Sequence, residues 1–175
     1  GGTQLGSSDS ICVYLIEKAM DVKFNFVVFN GGGEVNAALL GGHIQMAITN
    51  PGEALELYKA GKVKILGVFA EKRLVAAPDI PTMKEQGIDA VYVQNRGFCA
   101  PADIPADARK VLEDALFKYT QTETFKKYVK DNLLTEAWMD GAAFGKFLEE
   151  WNAKYAVLLT EMNLIKKKKD RKSVV

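Results

Sequence analysis

The sequence predicts an α/β fold: a mostly parallel sheet with flanking helices, followed by a set of C-terminal helices. Three observations lead there. In the first half of the chain, short apolar runs alternate with segments of helical periodicity. Most of those runs close on glycine or asparagine, the residues that turn a strand into a helix. From Pro105 onward the strand signals cease and amphipathic helical segments follow one another. With 48% hydrophobic residues and a formal net charge of +1 over 175 residues, the chain suits one ordinary core or two small lobes.

The elements follow in order. Gly6, Ser7, Ser8 and Asp9 precede Ile11, Leu15, Ile16, Ala19 and Met20, whose spacing predicts a helix. FNFVVFN reads as a buried strand closed by Gly31, Gly32 and Gly33, and EVNAALLGG as a short helix ending at Gly41. HIQMAITN is a second strand. Pro51 then opens the helix PGEALELYKAG, with Gly61 as its stop, and VKILGVFA is a third strand. Strand, helix, strand in this order implies right-handed parallel crossovers. PDIPTMKEQG is a proline-set loop with a short helix, and AVYVQNRGFCA is extended. PADARKVLEDALFKY, ETFKKYVKDNLL and DGAAFGKFLEEWNAKYAVLLTEM are three amphipathic helices, with Pro105 in a first turn and Asp140 at an N-cap. KKKKDRK reads as a frayed, solvated tail.

Several function classes find little to build on. No basic footprint of the nucleic-acid-binding kind is present. No apolar run approaches the roughly 18 residues of a membrane span. Cys12 and Cys99 are the only cysteines and His43 is the only histidine, so neither a metal site nor a histidine-based triad is indicated. Nothing in the pattern calls for a cofactor. The two cysteines read as small buried hydrophobes rather than a disulfide. Trp138, Trp151 and Tyr155 read as core or interface packing rather than a stacking platform.

Three strand-end loops carry the chemistry. GSSDS sets Ser7, Ser8 and Asp9 where a helix begins, and there the first amides lack internal partners. The helix dipole adds about half a positive charge at that end, so the turn suits either an anion or a simple cap by Ser8 or Asp9. Asn30, Gly31 and Gly32 form a glycine run after a strand. It could offer bare amides to a carboxylate or serve as a tight turn with positive φ. It lacks both the P-loop ending and the GxGxxG spacing. Thr49 and Asn50 precede the proline-started helix. Loops after parallel strands share one edge of the sheet, the edge where ligands bind in open α/β folds.

At these residues the chain resembles a known family. GGTQLGSSDSICVYLIEKAM, FNGGGEVNAALLGGHIQMAI, AGKVKILGVFAEKRLVAAPDIPTMKEQGID and FCAPADIPADARKVLEDAL are similar to the substrate-binding receptors of tripartite tricarboxylate transporters, the Bug-type periplasmic binding proteins of type II. The likeness runs from Gly1 to about Ile165. It implies two α/β lobes closing over a small organic carboxylate and presenting it to membrane permease subunits in the bacterial periplasm. No bond is made or broken. It further implies that this stretch is the later part of a longer receptor. Residues 1–95 would be most of the second lobe, 96–165 the hinge return and helices belonging to the first lobe, and 166–175 a basic tail.

The resemblance favours the anion reading of Ser7, Ser8, Gly31, Gly32 and Asn50; Asp9, whose negative charge at the same helix end argues against an anion, Asn30 and Thr49 complete the candidate ligand-binding set. Each charge-assisted hydrogen bond there would contribute on the order of 1.5–3 kcal/mol. The faces carrying Phe117, Phe125, Phe144, Phe147 and Trp151 are expected to be left apolar and exposed. They would then pack differently on the remaining lobe or associate with a second chain. Two other readings are a serine hydrolase using Ser7 or Ser8, which would need His43 as its base, and a purely structural interaction domain.

Overall fold

The computed structural model describes residues 1–166. Six α-helices run along them: α1 (Ser8–Met20), α2 (Gly32–Leu40), α3 (Pro51–Lys59), α4 (Ala106–Thr120), α5 (Glu123–Asp131) and α6 (Gly141–Glu161). A 3-10 turn covers Lys84–Gln86. Gly6, at φ +79°, turns the chain into α1, a conformation that favours glycine. Ile11, Cys12, Val13 and Ile16 form the buried side of α1, and Asp21 ends it in the left-handed region with its N–H on Glu17 O. Pro51 sits at the start of α3, and Gly61, at φ +67°, follows its end. Pro105 occupies the N-cap position of α4 rather than its first turn.

The predicted parallel order survives in a reduced form. Gly1 N donates to Met46 O (2.8 Å), and Ile48 N donates to Gly1 O (3.1 Å). On its other side, Gly2 N donates to Val27 O (3.1 Å) and Phe29 N to Gly2 O (2.9 Å). Gly2 and Val28 form a parallel bridge, so residues 1–2 lie between 27–29 and 46–48, all pointing one way. A second parallel bridge joins Val68 to Thr82.

Two small cores sit on the faces of these segments. Ile16 of α1 packs with Met83 and Ala90, and Met46 lies against them. Val35 and Ala38 of α2 pack with Ile44, and Ala47 lies against those. Consecutive residues of an extended segment point to opposite faces. Met46 therefore faces α1 and Ala47 faces α2, one helix on each side. An order of second, first, third with helices on opposite faces is what right-handed crossovers produce when the chain reverses direction.

The continuous strands predicted for FNFVVFN, HIQMAITN and VKILGVFA are a correction. Among the described residues there are two isolated bridges and no strand. Segment 27–29 meets Gly2 in a single parallel bridge that is not extended into a ladder. Phe24, Val27 and Val28, read as strand core, are exposed. Around the second bridge, Thr82 N donates to Glu85 Oε2 (2.7 Å) while Glu85 N donates to Thr82 Oγ1 (3.0 Å). This reciprocal cap is braced by Arg73, whose Nε reaches Glu85 at 3.0 Å and whose Nη1 reaches Pro78 O.

The chain divides into two compact units, Gly1–Asp140 and Gly141–Val175. In the first, Phe117 stacks at a tilt on Trp138 (5.4 Å) and Tyr119 meets Phe125 edge-on (5.4 Å). Val111, Leu112 and Phe117 on α4 are exposed, whereas Phe125 is half-buried. In the second unit, α6 pairs its own rings: Phe144 with Phe147 (6.1 Å) and Trp151 with Tyr155 (4.7 Å), all four half-buried. Cys12 is buried as expected. Cys99 is exposed, against expectation, because residues 96–103 run along the surface. Apart from Lys166, the basic tail expected over 166–175 lies outside the described residues. Among those residues no helix is long and apolar enough to cross a membrane.

Candidate functional site

Because segments 1–2, 27–29 and 46–48 are parallel, the loops after them leave from the same edge. Those loops hold every residue nominated from the sequence: Ser7, Ser8 and Asp9 after the first, Asn30, Gly31 and Gly32 after the second, Thr49 and Asn50 after the third. Each loop enters a helix, α1, α2 and α3 respectively, through an N-cap at Ser7, Gly31 and Asn50. None of the three N-caps makes a side-chain capping bond. The edge also holds the point where the order reverses, between segments 1–2 and 46–48, the position at which open α/β folds form a binding crevice.

The side chains at this edge are held by the chain itself. Ser7 Oγ donates to Gln4 O (2.6 Å). Ser8 Oγ reaches Asp9 Oδ1 at 3.5 Å, the long limit of a hydrogen bond. Asp9 does not cap α1, as one reading of the sequence had it. Its Oδ2 turns back to accept from Thr3 N (2.8 Å) and Thr3 Oγ1 (2.7 Å). That clasp lies flat on Gly2, where a Cβ would fall 2.7 Å from the Asp9 Cβ. Ser10, buried, accepts from Gly6 N (2.8 Å) and donates to Ser7 O (3.1 Å), fixing the turn.

Two glutamates that sequence reasoning passed over hold the other loops. Glu34 accepts from Asn30 N (3.1 Å) and from Asn30 Nδ2 (3.2 Å). Glu53 accepts from Thr49 Oγ1 (2.7 Å) and from Asn50 Nδ2 (2.9 Å). Each stands three residues after its N-cap, in G-G-G-E and N-P-G-E, the spacing of a capping box. That spacing was the signal that could have found them. Asn36 Nδ2 reaches Glu53 O (3.4 Å), tying α2 to α3.

The glycines differ in what they serve. Gly31 is extended, at φ −172° and ψ 166°, a conformation open to any residue, and a Cβ there would meet nothing within 4 Å. The tight positive-φ turn read from the triplet is thus absent, and Gly31 answers no steric demand of the chain. A Cβ at Gly32, by contrast, would fall 2.7 Å from Glu53 Oε2. The three stretches 1–10, 30–36 and 46–53 contain Asp9, Glu34 and Glu53 and no lysine or arginine. An anion here would be recognised by amides and hydroxyls against a negative background. Ser7 and Ser8 are hydrogen-bonded to Gln4 and Asp9, and the His43 ring lies against Gly41. A shallow concavity on α5, lined by Glu123, Lys126, Lys127, Lys130 and Asp131, holds none of the nominated residues.

Residues 1–164 match the family model described as the tripartite tricarboxylate transporter family receptor. The chain belongs to this family. Its members are receptors, not enzymes. An UPF0065 protein of Cupriavidus necator is 27% identical over 92% of this chain and 50% of its own length. Another from Agrobacterium vitis is 30% identical over 66% of this chain and 34% of its own.

Among solved structures, a TctC solute-binding protein from Polaromonas, without ligand, superposes with a TM-score of 0.70 at 30% identity, covering 91% of this chain and 56% of that one. MatC from Rhodopseudomonas palustris, with bound malate, gives a TM-score of 0.73 at 19% identity over 90% and 55%. The periplasmic binding protein BugD gives 0.73 at 20% identity over 91% and 54%. The fold is therefore that of these solute-binding proteins. The chain spans about half the length of the relatives and structures it matches or less.

Proposed function

We propose that this tripartite tricarboxylate transporter family chain supplies one wall of a receptor cleft that binds a small organic carboxylate. Residues 1–95 form that wall, and 96–165 run toward the opposite lobe. The solute's carboxylate lies against the amides of Gly31 and Gly32 and the N-terminus of α1 after Ser7. Ser8, Thr49 and Asn50 orient it. The receptor works in the periplasm and hands its solute to the transporter's permease subunits.

One observation carries the reading: three uncapped helix N-termini open at a single edge, beside a glycine that the fold does not require. Backbone amides neutralise a carboxylate without the desolvation cost of a buried lysine, which fits three loops that carry no lysine or arginine of their own. The malate in MatC is consistent with this class of solute.

The test is calorimetric titration of the chain with malate, citrate, benzoate and an amino acid. Saturable binding of one class is expected, and absence of heat with all of them would overturn the reading. Self-association through the exposed α4 residues Val111, Leu112 and Phe117 belongs to the same proposal. A concentration-independent monomer in size exclusion with light scattering would remove it.

A further inference from the structure

Glu53 carries a further inference, which rests on the carboxylate reading above. Its side chain reaches two of the three loops at once. It accepts from Thr49 and Asn50 of the third loop, and it lies where a Cβ on Gly32 of the second would be. A hydroxyl, a primary amide and a bare glycine around one carboxylate are what a carboxylate-binding wall would offer a solute. The residue is exposed, and its chain of single bonds can turn outward without disturbing either small core.

We propose that Glu53 is an internal competitor for the solute. In the empty receptor its carboxylate occupies Thr49 and Asn50. On binding, the solute's carboxylate takes those two donors and Glu53 swings into water. The exchange conserves the count of hydrogen bonds at the third loop, so these two residues add orientation but little net affinity. Affinity then comes from groups Glu53 does not reach, the Gly31 amide and the α1 N-terminus. A further consequence is discrimination. A small anion that can use only the Thr49–Asn50 pair gains nothing over Glu53, whereas a solute that also spans to Gly31 does.

The experiment compares the full chain with its Glu53→Gln and Glu53→Ala variants, titrated with malate, citrate and benzoate. Gly31→Ala serves as the site control, and circular dichroism verifies that each variant keeps its helices. Both Glu53 variants remove the charge, and Glu53→Ala removes the competitor altogether. The carboxylate that binds the parent chain should bind them about tenfold more tightly, equivalent to ~1.4 kcal/mol. In the parent, the Glu53 side-chain carbon signal should move to its free-carboxylate position as the ligand is added.

Equal or weaker binding in the Glu53 variants, with binding lost in Gly31→Ala, overturns the competitor and leaves the carboxylate site standing. Glu53 is then a fixed brace, or an acceptor for a donor on the solute. No binding of any probe to the parent or to either Glu53 variant overturns the carboxylate site and the competitor together.

Discussion

Gly31→Ala separates a glycine kept for the fold from one kept for a ligand. The backbone there, at φ −172° and ψ 166°, accepts alanine without strain, and the added methyl meets no atom within 4 Å. Alanine is a poorer N-cap than glycine, which costs about 0.5–1.5 kcal/mol. Restricting the unfolded chain returns about 0.4–1 kcal/mol. The two nearly cancel, so the net change stays within about 1 kcal/mol, or roughly 2–4 °C in Tm. Binding should respond much more strongly. A methyl at the mouth of the α2 N-terminus keeps a carboxylate from approaching the amides of Gly31 and Gly32. Loss of one charge-assisted hydrogen bond of about 1.5–3 kcal/mol weakens binding some ten- to hundredfold. Calorimetry gives the affinity and a thermal melt gives the stability. Gly145→Ala, inside α6 with open space around it, controls for glycine replacement as such. It should gain roughly 0.5–1 kcal/mol and leave binding unchanged. If Gly31→Ala binds like the parent chain, the open space before Gly31 is not a solute site.

Three other outcomes follow from the same geometry. Ser8→Ala should weaken carboxylate binding about tenfold. Its hydroxyl makes only a 3.5 Å contact with Asp9, so the melting curve should barely move. With a thiol reagent, Cys99 should react at once in the native chain. Cys12 should stay protected until denaturant is added, since burial first, and then the nearby Asp9 charge, pushes its thiol up. Two reactive thiols in the native chain would contradict that packing. The Thr82 amide first, and then Arg73, hold the Glu85 carboxylate below the usual glutamate range. Its folded value is thus depressed. The contribution to stability is complete above the unfolded value and is lost as pH falls through the folded one. Arg73→Ala should raise the Glu85 titration midpoint in a carbon-detected NMR titration, and an unchanged midpoint would show that Arg73 plays no part.

Much of the helical frame was legible because helices announce themselves locally. The spacing of Ile11, Leu15 and Ile16, proline at 51 and glycine at 61 place α1 and α3 with no knowledge of the rest of the molecule. The sheet was less legible because a strand is defined by its neighbours. FNFVVFN is apolar enough for a buried strand, yet it meets Gly2 in a single bridge with Phe24, Val27 and Val28 exposed, and hydropathy cannot report which segment lies alongside.

The three N-caps of the candidate site were readable for the same local reason as the helices. What escaped was where side chains turn. Asp9 leaves the α1 terminus for Thr3 because Gly2 permits the close approach. Glu34 and Glu53 reach back one turn to the residues nominated as solute donors. Cys99 looked like a buried small hydrophobe, but residues 96–103 run exposed along the surface.

The most direct test of the account is to follow the backbone amides by NMR while malate, and then citrate, is titrated into the chain. The account predicts shifts confined to the Ser7–Asp9 and Asn30–Gly33 amides and those of Thr49, Asn50 and Gly52, saturating together with one affinity. Shifts centred instead on Lys126, Lys127 and Lys130 of α5, with those three loops silent, would show that the carboxylate finds surface cations and that the convergent edge is not its site.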